Sequence, residues 1–212
     1  MVDELQRSSI PIARRISGGG TVFHDSGNLN YTVITERDKY NPEAVYKMVL
    51  DAIAKFALNG EVTEKSNISV NNKKFSGNAF TFKKKRAMHH GTLLINANIA
   101  NIKKFLQPQF ANIETRAVPS RPASVINLST LNSEITVTTL SQALKESFST
   151  IFDNGNKLKY ISDADLNKTI IRKITEKLQS KKWVFGKTPS FTVNGKVIEF
   201  PIHTQNLDYS NE

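Results

Sequence analysis

The chain has 212 residues, with 29 Lys and Arg against 19 Asp and Glu for a formal charge of +10, and no cysteine. At 39% hydrophobic and 23% charged residues it lies in the ordinary globular range, which excludes wholesale disorder and collagen-like repeats. The absent cysteine excludes a disulfide framework, a thiol nucleophile and a thiolate metal site; the length fits one domain better than two, and no apolar run approaches the ~20 residues of a membrane-spanning helix.

In chain order, Met1-Val2-Asp3-Glu4-Leu5 carries an early acidic pair and no apolar core, so it does not read as a signal peptide or a transit peptide. A dense glycine-rich motif follows and is taken up below. Residues 28–36 place Leu29, Tyr31 and Val33 on one face at period two, the pattern of a strand. Asn41 and Pro42 then open a helix that Asn59-Gly60 closes, with Val45, Met48, Val49, Ala52, Ile53 and Phe56 as its apolar stripe. Residues 67–82 and 91–96 read as strands, the first turning at Ser76-Gly77-Asn78. Ile99 to Leu106 reads as a short helix closed by Pro108, and 107–136 as a loop-rich stretch.

Two amphipathic helices are expected next. The first covers about 138–152 and buries Leu140, Leu144, Phe148 and Ile151. The second covers about 163–180 behind a Ser162 cap and buries Leu166, Ile170, Ile174 and Leu178. Residues 191–200 alternate around Asn194-Gly195, a two-residue hairpin signal. Strands interspersed with helices give an α/β (α+β) class, a mixed β-sheet with flanking helices.

The net charge raises the question of nucleic acid, because clustered cations release counterions from phosphates. The excess is dispersed, however, and its densest run, Lys83-Lys84-Lys85-Arg86, reads as a solvated loop. No nucleic-acid or membrane partner is expected.

Three segments carry the chemistry. In Arg14-Arg15-Ile16-Ser17-Gly18-Gly19-Gly20-Thr21-Val22-Phe23-His24-Asp25-Ser26-Gly27-Asn28, adjacent glycines expose backbone N–H groups and admit positive φ, so the chain can wrap a ligand closely. The two arginines add planar donors suited to phosphate or carboxylate. The spacing is neither that of a Walker A loop nor that of a dinucleotide fingerprint, and Thr21-Val22-Phe23 is β-prone, so the loop is expected to lead into a strand. In the second segment, Lys74 sits where a strand meets a small-residue turn, a position from which an ammonium can reach into a cleft. In the third, His89-His90-Gly91-Thr92-Leu93-Leu94, adjacent histidines point to opposite faces of a strand and cannot chelate one metal together. No zinc spacing and no Gly-x-Ser-x-Gly elbow occurs, so no metal site is expected.

Taken together, Arg14-Arg15-x-Ser17-Gly-Gly-Gly-x-Val22-x-His24-Asp25-x-Gly27-Asn28, Lys74-Phe75-Ser76-Gly77-x-Ala79 and His89-His90-Gly91-Thr92-Leu93-Leu94 resemble the lipoate–protein ligase A family in order and spacing. Ser120-Arg121…Val125-x-Asn127-Leu128 fits as well, and Trp183-Val184-Phe185-Gly186-Lys187-Thr188-Pro189-x-Phe191 is similar to the eukaryotic mitochondrial lipoyltransferase branch. The resemblance implies a biotin/lipoate protein ligase-like catalytic domain over residues 1–188, lacking the family's N-terminal strands, and a remnant of the C-terminal accessory domain over 189–212. It implies a two-step ligase that uses ATP with Mg²⁺ to convert lipoate to lipoyl-AMP, then passes the lipoyl group to a lysine of an acceptor. The implied acceptors are lipoyl domains of 2-oxoacid dehydrogenase E2 subunits and the glycine cleavage H protein.

By the same resemblance Lys74 is the catalytic residue, contacting the lipoyl carbonyl and the α-phosphate. Arg15 binds phosphate, Gly18 and Gly19 leave room for the ligand, and the backbone of Gly20, Thr21, Val22 and Phe23 holds the nucleotide. A monomer is implied, mitochondrial or, in a bacterium, cytoplasmic. Where the family has Arg-Asn-Asp ahead of its lysine strand, this chain reads Lys65-Ser66-Asn67. That difference keeps open a transferase using a preactivated lipoyl or octanoyl donor, and the missing N-terminal strands, which would leave a sheet edge exposed, keep open a truncated non-catalytic relative.

Overall fold

Strand β1 covers Asn28–Glu36, and its alternation is realised as read: Tyr31 and Val33 are buried while Asn30, Thr32 and Ile34 are exposed. The structure is a computed structural model and describes residues 5, 7–63, 66–107, 112–117, 123–153, 159–186 and 188–198. Helix α1, Pro42–Ala54, starts at Asn41, whose side chain accepts from the Ala44 N–H at 3.2 Å, and it buries Val45, Met48, Val49, Ala52 and Ile53. Phe56 falls beyond its end yet packs on the same core.

Next come β2 (Glu61–Thr63), β3 (Asn67–Val70), β4 (Lys73–Phe82) and β5 (Arg86–Leu94). The turn expected at Ser76-Gly77-Asn78 is absent, and β4 runs straight through it. The reversal is instead at Asn71 and Asn72, both at positive φ (51° and 59°). Asparagine tolerates that region, and a two-residue turn of this kind matches the twist of the flanking strands. Helix α2 follows at Ile99–Leu106; Pro108, expected to close it, lies outside the described residues. Helix α3, Val137–Phe152, is capped by Thr136 and buries Leu140 and Leu144.

By its internal contacts the chain forms two units: Ser17–Leu106 with Ser120–Lys159, and Met1–Ile16 with Gln107–Pro119 and Tyr160–Glu212. The larger holds a five-stranded sheet in the order β1-β5-β4-β3-β2, every named pair antiparallel. Helices α1 and α3 pack on each other, and their apolar faces join Tyr31, Val33, Ile68, Phe75 and Leu93 in one core. The expected α+β class with helices flanking a sheet is therefore present, but the sheet expected to be mixed is antiparallel, because β2 to β5 follow one another through short reversals rather than crossovers.

In the other unit, β6 (Ile113–Thr115), β7 (Phe191–Val193) and β8 (Lys196–Ile198) make a small antiparallel sheet, with the predicted Asn194-Gly195 turn at positive φ. Helices α4 (Lys168–Gln179) and α5 (Lys181–Phe185) complete it. The helix expected from 163 begins only at Lys168: Ser162 caps a separate short turn, and Asn167 caps α4. Nor is its stripe buried, since Ile170 and Ile174 stay about half exposed (54% and 49%). Periodicity assigns a face but does not supply a surface to cover it.

The start of β1 is tied down by residues of the first motif. Asp25 accepts from the N–H groups of Gly27 (2.9 Å) and Asn98 (2.7 Å), while the Gly27 carbonyl accepts from Ile95 and Asn96, both at 3.0 Å. Asp25, Gly27 and Asn28 are thus scaffold, joining β1 to the end of β5. A Cβ on Gly27 would lie 2.1 Å from the Asn96 carbonyl oxygen and 2.5 Å from the Ala97 nitrogen, both backbone atoms. Gly27→Ala is therefore expected to cost about 3 kcal/mol and to lower Tm by roughly 10 °C in thermal denaturation. Gly18→Ala, whose Cβ would meet nothing within 4 Å, should leave Tm within about 2 °C.

Candidate functional site

The site is built on the face of the five-stranded sheet opposite the core. Tyr31, Gly91 and Asn78 stand side by side across β1, β5 and β4, with Tyr31 in the core. The flanking rows therefore point the other way. One is Asn30–Thr92–Gly77–Asn67, the next Thr32–His90–Ala79. These are small or polar residues, and those on β3, β4 and β5 are partly exposed.

Lys74 reaches this face through an irregularity. Asn67 pairs with Gly77 and Ile68 with Ser76, but Ser69 pairs with Lys74, so Phe75 is one residue too many on β4. Such a bulge turns two successive side chains to one side, and Phe75 and Ser76 are both buried (0% and 1% exposed). Without it, Lys74 would share the core face with Ser76 and Asn78. With it, Lys74 falls in phase with Gly77: a Cβ on Gly77 would lie 3.0 Å from Lys74 Nζ. The Lys74 backbone is gripped by a parallel bridge to Val125, in which its N–H donates to Ser124 (2.8 Å) and its carbonyl accepts from Ile126 (3.0 Å). That crossing segment is anchored in turn by buried Asn127, which accepts from the Ala97 N–H (3.0 Å) and donates to its carbonyl (2.8 Å).

Burial holds the Lys74 ammonium below the ordinary lysine value. None of the ion pairs among the described residues involves it. A half-buried cation with no carboxylate partner among the described residues is suited to an anionic ligand.

The glycine loop meets the same face. Ser17 Oγ lies 2.5 Å from His90 Nε2. Gly19 is the one loop glycine at positive φ (101°), while Gly18 has open space on its Cβ side. Thr21 and Val22 are exposed, and Phe23 stacks on Phe105 of α2 at 5.5 Å. Residues 20–25 form no strand; β1 begins only at Asn28, after the Ser26-Gly27 turn, because the Asp25 and Gly27 hydrogen bonds fix a sharp bend there. The structure thus joins Lys74 and the Ser17–Gly20 loop to one sheet face.

Arg15 belongs to the other unit, where it is half-buried and held below the usual arginine value by that burial. Its neighbour Arg14 is structural: it donates to the Val184 carbonyl (2.8 Å) and to Thr188 Oγ1 (3.1 Å), and its own carbonyl accepts from Trp183 Nε1 (2.8 Å). The Trp183–Thr188 motif is therefore the partner of the first arginine.

The histidine pair divides as expected. His90 faces the loop, whereas His89 is wholly buried, with Nε2 3.0 Å from Asn78 Oδ1 and Nδ1 3.2 Å from Tyr40 Oη. The basic run at Lys83–Arg86 is the β4–β5 turn, closed by Lys83 N–H donating to the Arg86 carbonyl at 2.8 Å. Among the described residues no three His, Asp or Glu gather as a metal site, and no helix is long and apolar enough to cross a membrane. Sequence reasoning singled out Lys74 and Asn67 but missed that the end of the Lys74 side chain lies over Gly77. The sequence carries no signal for it, because the bulge is a property of the β3–β4 pairing.

The α+β fold of this chain has counterparts among solved structures. The fold matches that of a lipoate-protein ligase A bound with ATP at a TM-score of 0.71, covering 88% of this chain and 76% of that one at 20% identity, a likeness of fold alone. LipL1 of P. falciparum in complex with lipoate matches at a TM-score of 0.70 and 28% identity, over 89% of this chain and 55% of that one.

The sequence matches the lipoyl protein ligase A/B catalytic domain over residues 1–149, and the chain belongs to that family. It is 34% identical to the lipoate-protein ligase A of Psychrobacter cryohalolentis over 90% of this chain and 58% of that one. It is 33% identical to the mitochondrial lipoyl amidotransferase LIPT1 of Mus musculus over 90% and 52%. The chain thus spans little more than half the length of these curated relatives.

Proposed function

We propose that the protein attaches lipoate to proteins by an ATP-dependent route. A lipoate carboxylate oxygen attacks the α-phosphorus of ATP, pyrophosphate leaves, and lipoyl-AMP forms. The neutral ε-amine of an acceptor lysine then attacks the acyl carbon, AMP leaves, and the amine gives up a proton as the amide forms. The observation that carries this reading is Lys74: a partly buried ammonium without a carboxylate partner among the described residues, on the sheet face that also receives the Ser17–Gly20 loop. Its charge would offset the negative charge shared between carboxylate and phosphate in the transition state. Gly18, Gly19, Gly20, Thr21, Val22 and Phe23 would hold the nucleotide through backbone groups, and Arg15 its phosphate.

Mg²⁺ suits a site of this composition as the companion of the ATP phosphates, since it is commonly held by phosphates and water with few protein ligands. Within this reading, residues 1–188 belong to the catalytic domain and 189–212 to the accessory domain. The acceptor is a lipoyl domain, of an E2 subunit or of the H protein. The location is mitochondrial, in keeping with the mouse relative, or cytoplasmic in a bacterium.

A second reading, transfer from a preactivated lipoyl donor, is favoured by Asn67, which stands beside Gly77 at the position where the sequence resemblance implies an acid. The test is incubation with lipoate, Mg-ATP and an apo lipoyl domain, followed by mass spectrometry. The proposal expects a mass increase of one lipoyl group on the acceptor and release of pyrophosphate. Modification only from synthetic lipoyl-AMP would establish the second reading, and no modification from either donor would refute both.

A further inference from the structure

Gly77 lies in the middle of a ten-residue strand, where glycine has no obvious place. It adds backbone entropy to the unfolded state and no packing to the folded one. The usual reason for a glycine is missing, because Gly77 is not among the glycines with positive φ. Its immediate surroundings give another reason. The heavy atoms within 4 Å of a Cβ placed there are Lys74 Nζ at 3.0 Å and Lys74 Cε at 3.1 Å. The end of the lysine side chain therefore occupies the volume that any other residue would fill.

We infer that Gly77 is the positioning residue for Lys74: its bare Cα is the seat on which the ammonium rests. This inference rests on the reading of Lys74 as the group that meets the carboxylate and the α-phosphate. Two devices make the seat work. The bulge at Phe75 brings residues 74 and 77, which would otherwise face opposite sides, onto the same face. The bridge to Val125 fixes the Lys74 backbone, leaving only the side-chain torsions to be set. With Gly77 beneath it, the chain folds back along its own strand toward the Asn67–Thr92 row. A methyl group at position 77 would displace Nζ by a few tenths of an ångström or more and turn the ammonium to another rotamer. Reactions that depend on orientation lose up to ~100-fold from a misplacement of about 1 Å.

The discriminating variant is Gly77→Ala, which is cheap for the fold because its only close neighbour is the mobile end of a side chain. Alanine also suits a strand better than glycine. The expected result is a Tm equal to or above that of the parent, with kcat for pyrophosphate release from lipoate and ATP lowered roughly 10- to 100-fold and KM for ATP little changed. In the Lys74→Ala background the same change should have no further effect. A second readout needs no activity: the pH-dependent rate of reductive methylation of Lys74, measured by peptide mass spectrometry with exposed Lys73 as internal reference. Gly77→Ala should change the Lys74 rate at least threefold and leave Lys73 unaltered. Unchanged kcat with unchanged Lys74 labelling would overturn the inference, as would a kcat loss that persists without Lys74. If neither protein forms adenylate but labelling of Lys74 still responds, the seat stands and the ligase reading fails.

Discussion

Lys74→Ala is expected to lower lipoylation of an acceptor domain by at least ~100-fold, the order lost when one preorganised group that stabilises transition-state charge is removed. Both half-reactions should suffer, because the same ammonium would face the carboxylate and α-phosphate in the first and the acyl-phosphate in the second. Stability should barely change: the side chain lies over Gly77 on the non-core face and no ion pair is lost among the described residues. Lys74→Arg keeps the charge but puts a planar fork where Gly77 leaves room for a compact head, so it should rescue little. Quantifying lipoyl-acceptor by mass spectrometry, with Tm in parallel, checks this. Activity above a tenth of the parent in Lys74→Ala would remove the lysine from its proposed role.

The second large effect is on stability, through His89. This imidazole is wholly buried, ringed by Tyr31, Tyr40, Tyr46 and Phe80, with centroid distances from 4.5 to 6.2 Å. The tautomer with hydrogen on Nε2 satisfies every partner. Nε2–H donates to Asn78 Oδ1, Nδ1 accepts from Tyr40, Tyr31 Oη also donates to Asn78 Oδ1, and Asn78 Nδ2 donates to the Ser66 carbonyl. Gly91 makes room for this network, since a Cβ there would lie 2.5 Å from Asn78 Oδ1 and 2.6 Å from Tyr31 Oη.

Burial, reinforced by His90, pushes the pKa of His89 down from 6.5 to about 4. The unfolded chain then binds this proton more readily than the native one. Stability from the neutral imidazole is complete above pH ~6.5 and is lost as pH falls from there to about 4. The loss is on the order of 3 kcal/mol, at 1.36 kcal/mol per unit. Urea unfolding at stepwise pH should show this slope, and an NMR titration should place the His89 midpoint well below that of a free imidazole. A midpoint near 6.5 would contradict the buried, neutral assignment.

Much of this was readable in the residues. Alternation in 28–36, the Asn41–Pro42 start and stripe of α1, the stripe of α3 and the Asn194-Gly195 hairpin each depend on local backbone preference and hydrophobic period. The three ordered motifs carried the family. The opposite faces of His89 and His90 followed from strand geometry alone.

Other features were set by tertiary pairing. The Asn71-Asn72 turn displaced the one expected at Gly77 because β4 pairs with β5 through Ser76, Gly77 and Asn78, and a paired strand cannot reverse there. The exposed stripe of α4 shows that amphipathicity names a face without naming what covers it. Motif residues that looked alike were separated by their contacts: Arg14, Asp25, Gly27 and Asn127 are joints between segments, while Lys74 and Ser17 lie on the sheet face opposite the core.

The sequence by itself determined the chain's family, its secondary-structure grammar and the lysine worth testing, because each is written in residues close together along the chain. Which way that lysine points was decided only by the tertiary structure. One extra residue opposite β3 reverses the phase of β4, and strand register is a property of two segments rather than one.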